Sequence, residues 1–288
     1  MKFYAESNSF CNQNLLSYNH QRGKIARKGE EKMKGKMITI LLVLVCIGSA
    51  GMFMYSRLEN QRSLEAQQAA EELAKGQEDA GEEVSVETEL FAEDPYVASL
   101  KGTDLAALRE VNPDVLGWIV IPETQMDYPL MDGEDNQYYL EHTWDQKPNS
   151  AGSIFLEKTS SSDLSDHHTV IYGHRMNNGS MFGSLGKYTT LEHWENHPYV
   201  YIVDDNGVHR YEIFAAYEAN IGSRTYQVGF SGEESKTAFL EHCLTSSVID
   251  TGVVPTTEEK ILTLSTCTSV GHENLRWVVQ ARFEGTAQ

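Results

Sequence analysis

The sequence predicts a mainly β fold: a closed barrel of about eight strands with peripheral helices, preceded by an N-terminal transmembrane helix. Three observations lead there. Eight short runs rich in β-branched and aromatic residues recur between residues 117 and 283, with turn residues between them, the pattern of a sandwich or a closed barrel. One stretch among the later runs, residues 231–247, has a helical period instead. Residues 37–56 contain no charged side chain at all.

The elements follow in chain order. Residues 1–36 hold eight Lys/Arg against three acids and show no pattern of a fold, so they read as a basic cytoplasmic tail. Residues 37–56, MITILLVLVCIGSAGMFMYS, match the ~20 apolar residues that a helix needs to cross a bilayer. Lys32, Lys34 and Lys36 precede the run and acids dominate after it, which orients the N-terminus inward and the remaining chain outward. A cleaved signal peptide is the competing reading, because Gly48-Ser49-Ala50 supplies small residues. The run continues through Met52, Phe53, Met54 and Tyr55, which favours an uncleaved anchor. Residues 57–95 carry twelve acids and three bases among Glu, Gln and Ala, and read as a solvated helix or an acidic extracellular stalk.

The folded unit begins near Pro95 and fills 96–288. A helix is predicted over Ser99–Val111, with Leu100, Leu105 and Leu108 as its apolar points. The β-type runs are 117–121, 126–130, 153–156, 169–173, 199–203, 208–217, 260–266 and 276–283. In the helical stretch, Ser231 with Glu234 forms a capping box, and Phe239/Cys243 and Leu240/Leu244 repeat at i,i+4.

Composition excludes several functions. A net charge of −19 disfavours nucleic-acid binding, which needs basic surface to displace counterions from phosphate. Four cysteines do not make a disulfide-stapled domain, and no disulfide is expected. His167, His193, His197, His209 and His242 lack a metal-ligand arrangement; Pro198 directly after His193-x₃-His197 argues against a helix presenting both. No metal and no cofactor are expected.

The chemistry gathers at three strand ends. In 260–267, Leu262 and Leu264 face one way and Thr263, Ser265 and Cys267 the other. In the last strand Arg276 opens the face opposite Trp277, Val279, Ala281 and Phe283. A short connection makes the two strands neighbours, setting Cys267 beside Arg276 at a strand mouth, off the core. The run 169–174 ends in Tyr172-Gly173-His174. A thiol, an imidazole and a guanidinium are the groups that acyl transfer through a thioester requires. Taken singly, Cys267 also suits a small buried residue, and His174 and Arg276 suit surface polar groups.

These residues carry a resemblance. TLSTC (263–267) matches the T-L-x-T-C signature of sortases, the cysteine transpeptidases of Gram-positive bacteria. VIYGHRMNNGSMFGSL resembles the family's histidine loop at His174, and Arg276 follows Cys267 by nine residues as the family's arginine does. NPDVLGWIVIPETQMDYPL (112–130), DNQYYLEH (135–142), GSIFLE (152–157) and the helix over 231–247 resemble class B sortases. The resemblance covers about residues 96–284. It implies a sortase-type barrel that cleaves a five-residue C-terminal sorting motif of exported proteins, holds the product as a thioester, and passes it to an amine of the peptidoglycan precursor.

On that template Cys267 is the nucleophile, His174 the general acid and then base, and Arg276 the oxyanion holder. Asn136, Leu140, Tyr172 and Ser265 line the peptide groove, with core or turn packing as their alternative role. Two positions depart from the family pattern: Thr268 stands where an acid is frequent after the cysteine, and Glu157 where an aspartate is usual. Asp94-Pro95-Tyr96 resembles the lid of pilus-building class C sortases, although such a triplet is also ordinary turn chemistry. A pilus polymerase, a thiol endopeptidase and a non-catalytic anchored binding module are the alternatives.

Overall fold

In a computed structural model of the chain, the described residues are 2–75, 91, 94–267 and 274–288, with the backbone alone for 2–32, 34, 35, 38 and 267. Eight strands close a barrel: β1 (Val115–Val120), β2 (Asp127–Met131), β3 (Ile154–Leu156), β4 (His168–Tyr172), β5 (Tyr199–Asp204), β6 (Gly207–Asn220), β7 (Ile261–Cys267) and β8 (Leu275–Ala287). Their order around the barrel is β1-β2-β3-β4-β7-β8-β6-β5. Closure leaves no unpaired strand edge. Two contacts are parallel, β2 with β3 and β4 with β7; the others are antiparallel. Alternation along the strands fills the interior with Ile119, Leu130, Ile154, Ile171, Ile202, Ile213, Leu262, Leu264, Val279 and Ala281.

All eight predicted runs are strands, and the last is longer than its sequence suggests. β8 continues past Phe283 to Ala287 because β6 runs alongside it as far as Val208. A partner thus carries the polar Glu284-Gly285-Thr286 into the sheet.

The helices bring three corrections. The single helix expected over Ser99–Val111 is two, α2 (Pro95–Leu100) and α3 (Leu105–Val111). Gly102 interrupts the pattern, and Asp104 starts α3 afresh by accepting from the Ala107 N–H at 2.9 Å. A short α4 (Leu191–Asn196) precedes β5. The capping box at Ser231 and Glu234 does not form: α5 (Glu233–Ser246) begins after Gly232, whose φ of +134° suits glycine, with no side-chain cap. Phe239, Leu240 and Cys243 are nonetheless its buried residues.

The third correction concerns the segment expected to act as a spacer. Helix α1 spans Lys2–Ala74. Within it, Ala70 and Ala74 are buried in a cluster with Leu108, Trp118 and Trp144. The Trp144 indole donates to the Ala66 carbonyl at 2.7 Å, and the Asn149 amide donates to the Glu59 carbonyl at 3.1 Å. Small alanines let the helix backbone come close enough for these contacts, so a stretch with little apolar mass still docks. Residues 76–90, 92 and 93 of the expected stalk lie outside the described residues. In the N-terminal unit, the apolar side chains over 40–54 are exposed, and α1 from Thr39 is long and apolar enough to cross a membrane.

Candidate active site

The barrel's two kinds of pairing bring the predicted groups to one rim. β4 and β7 are parallel and in register, Tyr172 opposite Ser265. Two residues beyond each member of that pair stand His174 and Cys267. β8 returns antiparallel to β7, which makes Arg276 the cross-strand partner of Cys267. A parallel pair therefore delivers histidine and cysteine to the same end, and a hairpin adds the arginine.

Below this rim lies a cleft of about 370 Å³. All four predicted groove residues, Asn136, Leu140, Tyr172 and Ser265, line it together with His174 and Arg276. The Asn136 amide donates to Glu157 at 2.7 Å, and its oxygen accepts from the Lys158 N–H at 2.8 Å. Glu157, the departure noted above, thus fixes how Asn136 is held. Burial opposes its ionisation, but hydrogen bonds from Thr159 and Asn136 outweigh that and keep its carboxyl below the ordinary value. The Tyr172 phenol is pushed up by burial first and by the Glu157 charge second, so it stays neutral. The other departure, Thr268, lies outside the described residues.

His174 is held through its ring and through its backbone. Its Nε2 lies 2.8 Å from the Leu140 carbonyl. A carbonyl only accepts, so Nε2 carries the proton in this contact. Leu140 therefore contributes its backbone as well as a place in the cleft wall. At the preceding residue, Gly173 passes a crowded point: a Cβ there would run into Ile154 and stand 2.9 Å from the Phe182 ring. The loop then closes as the Phe182 N–H donates to the His174 carbonyl at 2.9 Å. The Arg276 Nη1 donates to the Leu275 carbonyl at 2.9 Å.

The polar face of β7 and β8, opposite the barrel interior, is not open to solvent: Thr263, Ser265 and Gln280 are buried. α5 and residues 224–230 cover that face, where Phe239, Cys243 and Val278 pack together. Burial pushes the Cys243 thiol up to about 11, as suits a structural cysteine. The cleft also includes residues that the sequence did not single out. Tyr226 shares a 2.8 Å hydrogen bond with the Ser265 hydroxyl, and Ile221, half exposed, also lines the cleft. Nothing periodic in 220–230 marks them. Asp94, Pro95 and Tyr96 are not in the cleft lining. Asp94 instead accepts from Tyr201 at 2.7 Å and Arg210 at 2.8 Å, and Tyr96 donates to Glu123 at 2.9 Å. The triplet is the N-cap and first residues of α2, with Asp94 tied to β5 and β6.

With this geometry established, known proteins give the comparison. A family model described as Sortase domain matches residues 119–284. Sortase B of Listeria monocytogenes is 30% identical over 259 residues, which cover 86% of this chain and 96% of that protein. Among solved structures, sortase B from Bacillus anthracis in complex with AAEK1 gives a TM-score of 0.64 at 28% identity, covering 78% of this chain and 98% of that one. The Staphylococcus aureus sortase B-substrate complex gives a TM-score of 0.60 at 28% identity, covering 63% and 85%.

Proposed function

This chain belongs to the sortase family, a cysteine transpeptidase that anchors surface proteins, and within that activity we propose that Cys267, His174 and Arg276 perform the chemistry. The Cys267 thiolate attacks the carbonyl of the scissile bond in a C-terminal sorting motif. The guanidinium of Arg276 takes the charge that grows on the carbonyl oxygen. As the tetrahedral species collapses, His174 in its imidazolium form gives the Nδ1 proton to the departing amine, leaving a thioester on Cys267. In the second half the neutral ring takes a proton at Nδ1 from the incoming peptidoglycan-precursor amine, which displaces the thiolate. The Leu140 carbonyl holds Nε2–H in both protonation states, so the ring keeps its orientation through the cycle.

The observation that carries this reading is the register. Tyr172 pairs with Ser265, and Cys267 pairs with Arg276, at the rim of the cleft that Asn136 and Leu140 also line. These four groove residues, Asn136, Leu140, Tyr172 and Ser265, bind the sorting peptide in this account. Residues 37–56 hold the enzyme in the membrane, with 1–36 on the cytoplasmic side and the catalytic domain over 96–288 outside, where exported protein and lipid-linked acceptor meet. Product analysis with a sorting peptide tests the reading. Amine-dependent ligation lost in Cys267→Ala and kept in Cys243→Ala supports it; hydrolysis alone, unaffected by added amine, overturns it.

A further inference from the structure

The buried polar face beneath α5 contains one continuous chain of hydrogen bonds, and donor arithmetic fixes its direction. His168 Nδ1 lies 2.8 Å from the Gln227 carbonyl, so Nδ1 donates. Burial pushes this imidazole down to about 4, which leaves Nε2 unprotonated at neutral pH. Nε2 must then accept, at 2.7 Å, from the Thr263 hydroxyl. With its proton committed, Thr263 accepts from the Gln280 amide nitrogen at 3.0 Å. The Gln280 oxygen accepts from Tyr217 at 3.1 Å. Tyr217 has spent its single proton, so Thr225 donates to it at 3.0 Å, and Thr225 in turn accepts from His242 Nε2 at 3.1 Å. Flipping the Gln280 amide would reverse the chain and require His168 to be cationic in a buried site, so the neutral ring selects one orientation.

The two ends of this chain return to the same short helical turn. The turn spans Arg224–Tyr226, with Thr225 in its middle and Gln227 as its C-cap; between Thr225 and Gln227 stands Tyr226, in the cleft wall and hydrogen-bonded to Ser265 at 2.8 Å. Thr225 itself is fully buried and does not line the cleft. We infer that Thr225, Tyr217, Gln280, Thr263 and His168 are positioning residues that clamp Tyr226 from both sides and thereby set the affinity of the cleft for the sorting peptide. A closed ring of neutral, fully satisfied bonds is rigid and directional, and removing one hydroxyl leaves two partners unsatisfied. The inference rests on the reading of this cleft as the peptide site.

The test uses the full chain and, as probe, the member of a fluorogenic five-residue peptide library that the wild-type enzyme cleaves fastest. Thr225→Val removes the hydroxyl at nearly constant volume. KM for the peptide rises about tenfold, the equivalent of roughly one lost hydrogen bond. The kcat and the rate of Cys267 alkylation by iodoacetamide stay within about twofold of wild type, on the ordinary tolerance of remote substitutions. Thr225→Ser restores KM, and Thr263→Val, which cuts the ring elsewhere, repeats the KM rise. A Thr225→Val or Thr263→Val enzyme with lowered thermal stability and unchanged KM overturns the inference. Ile221→Ala, in the cleft lining itself, separates the two claims: KM raised there but not in the threonine variants sinks the clamp alone, whereas KM unmoved in all three sinks the peptide-site reading.

Discussion

The two halves of strand β8 meet the same problem, polar groups within a barrel wall, with different chemistry. Its first half carries Arg276 at the cleft and Gln280 inside the neutral ring under α5. Its second half carries Arg282 and Glu284 in a lattice of ion pairs. Arg282 bridges Glu212 at 2.5 Å and Glu259 at 2.8 Å, and Glu284 pairs with Arg210 at 2.7 Å. Arg210 also holds Asp94 at 2.8 Å and lies over the Phe91 ring at 4.5 Å, fastening the segment that enters the domain. Neutral bonds depend steeply on direction and fix atoms; ion pairs tolerate small shifts and fix segments. The cleft half needs placement, and the far half needs attachment.

Conservative exchange sharpens that contrast most. Arg276→Lys keeps the charge but loses the planar fork, and transpeptidation falls on the order of 10²–10³ fold. A loss of only a few fold in kcat/KM would mean that the cleft half works by charge alone. Next in size is Arg210→Ala. It leaves the buried Asp94 carboxylate with Tyr201 and the Tyr96 N–H as partners, and destabilises the fold near the lower end of about 3–5 kcal/mol by urea denaturation.

Acid should also separate the halves. Burial pushes His167, His168 and His193 down to about 4 from an ordinary 6.5. The unfolded chain then binds more protons than the native one between those values, so this stability is complete above pH 6.5 and is lost as pH falls toward 4. At Asp94 and Asp204 burial acts to raise the pKa, but bonds from Tyr201 and Arg210, and from His209, outweigh it and hold both carboxyls below 3.8. Their stabilisation survives to lower pH and is lost only below 3.8. Urea midpoints followed from pH 7 to 3 should therefore fall in two stages, with the first made shallower in His168→Gln. A single transition below pH 4 would contradict the assignment of a neutral buried ring. The smallest effect is Arg282→Lys, within about 1 kcal/mol of wild type, since an ammonium can still reach either glutamate.

Much of the fold is legible in the sequence because its strands are short, apolar on one face and set off by turns. The rim is legible too, since TLSTC alternates and the hairpin to Arg276 is short. Less visible is what depends on distant partners. Thr263, Ser265 and Gln280 alternate with apolar residues as solvent-facing positions do, and α5 together with residues 224–230 turns their face into an interior. Thr225 and Tyr226 sit in a run without period, and their roles come from Tyr217, His242 and Ser265. The break before Asp104 was signalled by Gly102 and an N-cap residue inside an otherwise helical pattern. The docking of residues 59–74 was not signalled, because alanines that allow close approach add little to an apolar count.

The central claim is that acyl transfer passes through Cys267 at the rim shared by β4, β7 and β8. Rapid quenching of the enzyme with a cleavable sorting peptide, in the absence of amine, followed by intact and peptide mass spectrometry, tests it most directly. The account predicts an adduct of the N-terminal peptide fragment on Cys267, hydroxylamine-sensitive, discharged by added amine and absent from Cys267→Ala. An adduct on Cys243, or ligation by Cys267→Ala at a rate near that of wild type, would contradict it.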